Sequence, residues 1–294
     1  MGLNDAMSAT LPSVFVSHGS PMIALEPGAA GAFLQRLGAA IDAAFGRPKA
    51  ILMLSAHTLA REPVALAAAR HEAVYDFGNF DERLFALRYD APGAPQLATR
   101  IEQLMPVHRV EQGGLDHGIW TALMYLYPKA DVPVLPLAWS PRQSPAALFA
   151  LGQTLAPLAD EGVLIVGSGS ITHNLRRVFE QGLHDRGQSE IAESAAFRDW
   201  MLARSTERDW DALFDYRAQA PHAADMHPSD EHLLPWYVAA GTGGREATPR
   251  RLHASVTFGA LGMDTYAFGS AAAALEAALR ALPEGPPAGS APAT

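Results

Sequence analysis

The 294 residues contain no cysteine. Disulfides, thiolate zinc sites, iron–sulfur clusters and a cysteine nucleophile are therefore excluded, and any metal must be held by His, Asp or Glu. Basic residues are also scarce: 22 Lys and Arg stand against 31 Asp and Glu, a formal net charge of -9. Without a basic run the chain lacks the clustered cations that neutralise phosphates, so nucleic acid is not an expected partner. No window reaches about 18 predominantly apolar residues, so no membrane-spanning helix is expected. Met1 to Ser13 has neither the basic nor the apolar stretch of a signal peptide. These absences lead to the expectation of a cytoplasmic protein, a monomer or small homo-oligomer. Familiar catalytic motifs are missing as well. There is no GxxxxGK[ST] phosphate loop and no GxSxG elbow. Gly167-Ser168-Gly169 lacks the third glycine of a dinucleotide fingerprint, and His71-Glu72 lacks the second histidine of a zincin helix.

What is present is a large apolar fraction. Hydrophobic residues make up 49% of the chain and charged residues 18%, which suits a folded domain with a sizeable core. Short apolar runs alternate with longer helical patterns. Strands are expected at Ser13–Ser17, Ala50–Ser55, Val64–Ala68, Val132–Ala138, Val163–Gly167 and Leu252–Phe258. Helices are expected at Gly28–Phe45, Ala94–Met105, Gly118–Tyr127, Pro145–Ala159, Glu190–Arg204, Ser229–Ala240 and Ser270–Ala281, with Asp116 and Ser229 as N-caps. This alternation implies an α/β fold: one three-layer domain whose central sheet, largely parallel or mixed, is flanked by helices. The domain is expected over residues 11–282, between flexible ends at 1–10 and 283–294. In such folds ligands bind beyond the carboxyl ends of the strands.

Those strand ends carry histidines. The run VFVS leads into His18, ILMLS into His57, and VLIVG into SGSITHNL with His173. Two further clusters, Asp116-His117 and His227 to His232, stand where helices are expected to open. A single histidine is most often structural or at the surface. Three at equivalent ends of one sheet would converge in space, and neutral imidazole is the commonest metal ligand. A His-rich mononuclear Fe(II) or Zn(II) site is the assembly that fits a chain without cysteine. His71, His108, His184, His222 and His253 lack this context and are assigned to the surface or the core. Gly167 and Gly169 are expected to let a ligand or a neighbouring strand approach the backbone closely.

Six motifs in order resemble the class III extradiol ring-cleavage dioxygenases, in particular the 4,5-DOPA dioxygenase branch. They are HGSPM from His18, SAH ending at His57, DFGNF from Asp76, GLDHGIW around His117, HNL from His173 and PSDEHLLP around His232. The resemblance runs from about Leu11 to Phe268. It implies one metal ion bound by His18, His57 and His232. Glu231 is the rival for the third place, but neighbours at a helix start point about 100° apart, so both cannot face one ion. Three neutral imidazoles leave a divalent ion its full charge, which favours a bound catecholate and also suits zinc. Fe(II) is the metal expected in the active form, with Zn(II) a candidate in the purified protein.

The resemblance further implies that His173 is the catalytic acid–base, an imidazole near its ordinary pKa. His117 would contact substrate or oxygen. Ser20, Asp76 and Asp116 are weaker substrate-binding candidates: Asp116 also suits a helix cap, and the Gly-Asn pair of DFGNF an ordinary turn. The implied reaction opens the ring of a catecholic, DOPA-like substrate with O2. A carboxylate on that substrate would need a cation, with Arg61, Arg83, Arg88 and Arg176 to consider. A zinc hydrolase on the same scaffold, or a non-catalytic metal- or small-molecule-binding protein, are the alternatives.

Overall fold

Val14 and Val16 face one way along the first strand and Phe15 the other, and all three are fully buried. A strand buried on both faces belongs inside a layered α/β domain. The structure, a computed structural model, describes residues 10–180 and 187–283. His184 and nearly all of the two segments read as flexible ends lie outside the described residues. Strands in chain order are β1 (Ser13–Ser17), β2 (Ala50–Ser55), β3 (Val64–Leu66), β4 (Arg70–His71), β5 (Ala91–Pro92), β6 (His108–Val110), β7 (Val134–Ala138), β8 (Val163–Gly169), β9 (Arg250–His253), β10 (Val256–Thr257), β11 (Leu261–Gly262) and β12 (Thr265–Phe268). Helices are α1 (Gly28–Phe45), α2 (Pro95–Leu104), α3 (His117–Leu126), α4 (Pro145–Leu155), α5 (Pro157–Asp160), α6 (Leu175–Glu180), α7 (Ala192–Glu207), α8 (Trp210–Phe214), α9 (Tyr216–Gln219), α10 (Ala223–Met226), α11 (Leu234–Gly243) and α12 (Ala272–Ala281).

The main sheet has eight strands in the order β6-β3-β7-β2-β8-β1-β12-β9. Its centre, β7, β2, β8 and β1, is parallel; on one side β12 lies antiparallel to β1 and β9 antiparallel to β12, and on the other β3 lies antiparallel to β7. The sheet is therefore mixed. Side-chain alternation divides its core between two faces. Val14, Val16, Ile51, Met53, Leu164 and Val166 pack with α1, α3 and α12. Phe15, Leu52, Leu54 and Ile165 pack with α4 and α11. Among the described residues, no helix is long and apolar enough to cross a membrane.

Several expected elements end elsewhere, for local reasons. The Pro145–Ala159 helix breaks at Ala156 because Pro157 has no N–H for the ladder. The strand expected over Leu252–Phe258 divides into β9 and β10. Ser229 is not an N-cap: α11 starts at Leu234, with Pro235 in its first turn, and Ser229 Oγ instead donates to Glu231 Oε1 at 3.0 Å. Residues 229–233 are thus a turn, and His232 sits in it rather than on the helix.

Gly167 and Gly169 do admit a close neighbour, but it is this turn and the start of α11 rather than a strand or a ligand. A Cβ on Gly169 would stand 2.0 Å from the His232 carbonyl oxygen, and one on Gly167 2.3 Å from that of Pro235. The same His232 carbonyl accepts from Ser170 N at 2.9 Å. Gly169→Ala is therefore expected to destabilise the fold by about 1–3 kcal/mol, the usual range for overpacking. A urea midpoint indistinguishable from the parent would show that the His232 turn is not held at this distance.

Candidate metal centre

Three adjacent parallel strands deliver three histidines to one edge of the sheet. His18 follows β1, His57 follows β2 and His173 follows β8. Asp116 caps α3, its side chain accepting from Ile119 N, and so places His117 in the first turn. The turn before α11 adds His232. The five rings form one group. From His18 the ring centroids of His57, His117 and His232 lie at 5.2, 5.4 and 5.5 Å. From His57 those of His117 and His232 lie at 4.0 and 4.9 Å. His173 stacks on His232 at 3.5 Å with the planes 7° apart. Within this group His18, His57 and His117 each offer one nitrogen, all within 4.8 Å of one another, and so could hold a metal ion.

Hydrogen bonds decide which nitrogens face inward. The Ser168 hydroxyl donates to the Gly118 carbonyl at 2.6 Å, so its oxygen is left to accept from His18 Nδ1 at 2.9 Å. His117 Nδ1 donates to Asp76 Oδ1 at 3.0 Å, and His232 Nδ1 to Glu231 Oε1 at 3.2 Å. A ring that donates through Nδ1 keeps a lone pair on Nε2, the tautomer that metal ligation needs. The Nε2 atoms of His18 and His57 are 3.2 Å apart. Two nitrogens each about 2.0–2.1 Å from one ion, at tetrahedral or octahedral angles, would be separated by about this distance. The donor set therefore fits a divalent cation.

Burial and mutual repulsion favour the neutral rings of His18, His57, His173 and His232. Burial pulls His18 well below the ordinary histidine pKa, with His57, His117, His232 and His173 adding to the effect. Burial, then His117, lowers His57 to about 4, against an opposing pull from Asp76 and Glu231. His232 is lowered by burial and by its histidine neighbours. Asp76 goes the other way: burial would raise it, but hydrogen bonds from the His117 ring and backbone outweigh this and hold it below the usual carboxylate range. His173 corrects the expectation of an ordinary pKa. Burial, followed by His232 and His227, pulls it well below that value, so near neutrality the ring is uncharged.

The remaining candidates have specific local partners. Glu231 Oε1 accepts from His232 Nδ1 at 3.2 Å, on the side of the ring away from its Nε2. Asp116 is buried and accepts from Ser55 Oγ at 2.7 Å and from Thr58 Oγ1, tying the His57 loop to α3. Ser20 caps a short 3-10 turn, accepting from Met22 N at 3.1 Å. Asp76 accepts from both the backbone N–H and the ring of His117, and lies 3.9 Å from His57 Nδ1. Asn79 takes a left-handed conformation, φ 59°, so the Gly-Asn pair of DFGNF does make a turn. His227 is fully buried and its Nε2 bonds the Ile171 carbonyl at 2.9 Å. His71 is buried on the Gly113 carbonyl, His253 stacks on Phe33, and exposed His108 meets Glu62.

Two sets of partners were not foreseen from the sequence. Ser168 orients His18; its only sequence signal is its place between two glycines at a strand end. Behind the cluster, the Arg198 guanidinium joins fully buried Asp264 at 2.6 Å and Glu190 at 2.7 Å. Ser17 Oγ donates to the Asp264 carbonyl and accepts from Ile171 N, while Thr172 Oγ1 donates to the Ala260 carbonyl and accepts from Gly262 N. The residues preceding His18 and His173 are thus bound to the β11–β12 region, a set of links that no local motif announces.

Residues 12–269 match the family described as the catalytic LigB subunit of aromatic ring-opening dioxygenase. A 4,5-DOPA dioxygenase extradiol of Beta vulgaris is 35% identical over 277 residues, covering 92% of this chain and 100% of the relative. One from Escherichia coli K12 is 34% identical over 249 residues, covering 82% of this chain and 89% of its own. A crystal structure of an uncharacterized protein from Escherichia coli K12 shares the fold with a TM-score of 0.72 and 29% identity, covering 88% of this chain and 100% of that one.

Proposed function

The chain belongs to the LigB family of aromatic ring-opening dioxygenases, and from that premise we propose that it cleaves the ring of a catecholic, DOPA-like substrate outside its diol, using O2 and a resident Fe(II) ion. It is an aromatic ring-cleaving dioxygenase by kinship with enzymes of that name. The observation that carries the finer reading is the approach of the His18 and His57 Nε2 atoms to 3.2 Å, inside a ring of three more histidines. In this reading His18, His57 and His232 hold the metal and His117 lines the substrate side, with residues 11–282 as the catalytic unit.

An Fe(II) ion held there would supply the redox chemistry that couples a catechol to dioxygen, while Zn(II) in the same site would not. The chain's own residues handle position and protons. His173, neutral and adjacent to the cluster, accepts a catechol hydroxyl proton at its free ring nitrogen and returns a proton as the ring opens. His117, held by Asp76 through Nδ1, would accept a hydrogen bond from a hydroxyl of the diol at Nε2. Asp116, bonded through both carboxylate oxygens, acts as a positioning residue, while Asp76 positions His117 through Oδ1 and keeps Oδ2, like the Ser20 hydroxyl proton, for a substrate contact. Cytoplasmic residence and a monomeric or small homo-oligomeric state belong to the same proposal.

Oxygen uptake after anaerobic Fe(II) loading tests this reading. Addition of a catechol is expected to start uptake in step with loss of the ring's absorbance, and zinc-loaded protein is expected to give none. Iron bound in full with no uptake on any catechol would remove the reading and turn attention to hydrolysis by the zinc form.

A further inference from the structure

In the reading above His227 neither binds the ion nor exchanges a proton, yet it is fully buried. Its Nε2 meets a carbonyl, that of Ile171 at 2.9 Å, so Nε2 carries the proton and donates. Its Nδ1 is buried without a partner among the described residues. Phe197 and Tyr216 flank the ring, with centroids 5.3 and 6.5 Å away. In such surroundings an apolar ring would leave no nitrogen unsatisfied, so the one bond that His227 makes needs a reason.

That bond is one of a series. Ser170 N donates to the His232 carbonyl at 2.9 Å, and His173 N to the Met226 carbonyl at 2.9 Å. Asn174 Nδ2 donates to the Asp225 carbonyl and, at 3.3 Å, to Asp225 Oδ1. Arg177 Nε closes the far end on Asp225 Oδ1 at 2.9 Å. Residues 170, 171, 173 and 174 beyond β8 thus meet residues 232, 227, 226 and 225 before α11, and two segments running in opposite directions are laced together. His227 links the His232 end of the lacing to the Met226 end. Its own backbone is anchored from outside, because Arg217 Nη1 donates to the His227 carbonyl at 2.8 Å. One segment carries His173 and the other His232, and their rings stack at 3.5 Å. A face-to-face stack contains no hydrogen bond of its own. The two rings keep their relative position only if the segments beneath them are locked.

We propose that His227 is a positioning residue of the ring-opening reaction: its Nε2–H, bonded to the Ile171 carbonyl, holds the segment bearing His173 in register with the turn bearing His232, and so fixes the proton acceptor relative to the metal. This inference rests on the roles given above to His173 and His232 and adds the residue that couples them. A misplacement of about 1 Å at a reacting group can cost about 10²-fold in rate, so a bond remote from the substrate still governs turnover.

The test compares His227→Phe, which keeps a buried ring and removes the donor, with His227→Gln, which returns an N–H near the position of Nε2. The probe is 4-nitrocatechol on the zinc-loaded full chain, since its visible absorbance reports which hydroxyls are ionised and no turnover is needed. His227→Phe is expected to keep the parent's zinc content but to need a higher pH before the bound probe loses its second proton. His227→Gln is expected to restore the parent profile. With Fe(II) loaded, kcat of His227→Phe on a catechol should fall about 10–100-fold at unchanged KM, the range for loss of an outer partner. A purely structural role would lower the unfolding midpoint without moving the ionisation profile. Should His227→Phe fail to fold, Asp225→Ala decides in its place: that carboxylate is 30% exposed, and its loss unties the same lacing at the Asn174 end. A parent profile in the deciding variant overturns the inference, as does an altered His227→Phe profile that His227→Gln fails to restore. A parent profile in His173→Gln would instead show that His173 is not the acceptor, and would remove the reading on which the inference stands.

Discussion

His18→Ala is expected to lose metal and turnover together. The ring stands at the centre of the group, with three other histidine centroids within 5.5 Å, and its Nε2 faces that of His57. Loss of a partner behind a ligand typically weakens metal binding by about 10–100-fold, and loss of the ligand itself should exceed that. Elemental analysis after gel filtration should find less than one tenth of the parent's metal, with no oxygen uptake on a catechol. The same measurement on two further variants separates the third ligand. His232→Ala should behave like His18→Ala, whereas His117→Ala should keep its metal and lose activity. The opposite pattern would assign the ion to the compact His18–His57–His117 set and leave His232 as the support for His173. Full metal retention in His18→Ala would sink the centre as described.

His173→Gln should separate chemistry from ligation. Glutamine fills a similar space and can still hydrogen-bond, but it cannot exchange a proton near neutrality. Acid–base groups typically contribute about 10²–10⁴-fold, so kcat should fall within that range while metal content stays at the parent level. The stacked geometry sharpens the expectation. His173 lies flat on His232 at 3.5 Å, so the planar amide can occupy the same slot with little disturbance of the ring beneath it. Near-parent turnover with iron loaded would move proton transfer elsewhere, and His117, with Asp76 behind it, would be next to examine.

The parts of the centre that sequence reading reached are those written in local pattern. Apolar runs ending in His18 and His57 locate β1, β2 and the loops beyond them, because a buried parallel strand must be short, apolar and abruptly ended. Helix α1 occupies the expected Gly28–Phe45. What escaped depends on distant partners. Four-residue β12 is too short to stand out, yet it pairs along β1 and closes one side of the sheet. The PSDEHLLP segment looks like a helix start, but Pro235 sets the true first turn and leaves His232 in the preceding bend. Asp76 and Ser168 act by orienting rings, a choice made by tertiary contacts that spacing does not encode. The lowered pKa of His173 is of the same kind, since it arises from burial and from histidines brought close by the fold.

The pairing of Ser13 with Phe268 also bears on how the centre comes into being. β1 is made well before both of its sheet neighbours, β8 and β12. Until then both edges of an apolar strand stand open, a template for pairing with other nascent chains. His18 and His57 emerge early, but the strand that lies between theirs, the turn bearing His232 and the Asp264 support come late. Contacts this far apart in sequence form slowly, because a long loop must close before they are rewarded. A metal centre built from these histidines would therefore assemble only after β12 has been made, and the yield of folded protein would depend on how well the open edges of β1 are shielded during elongation.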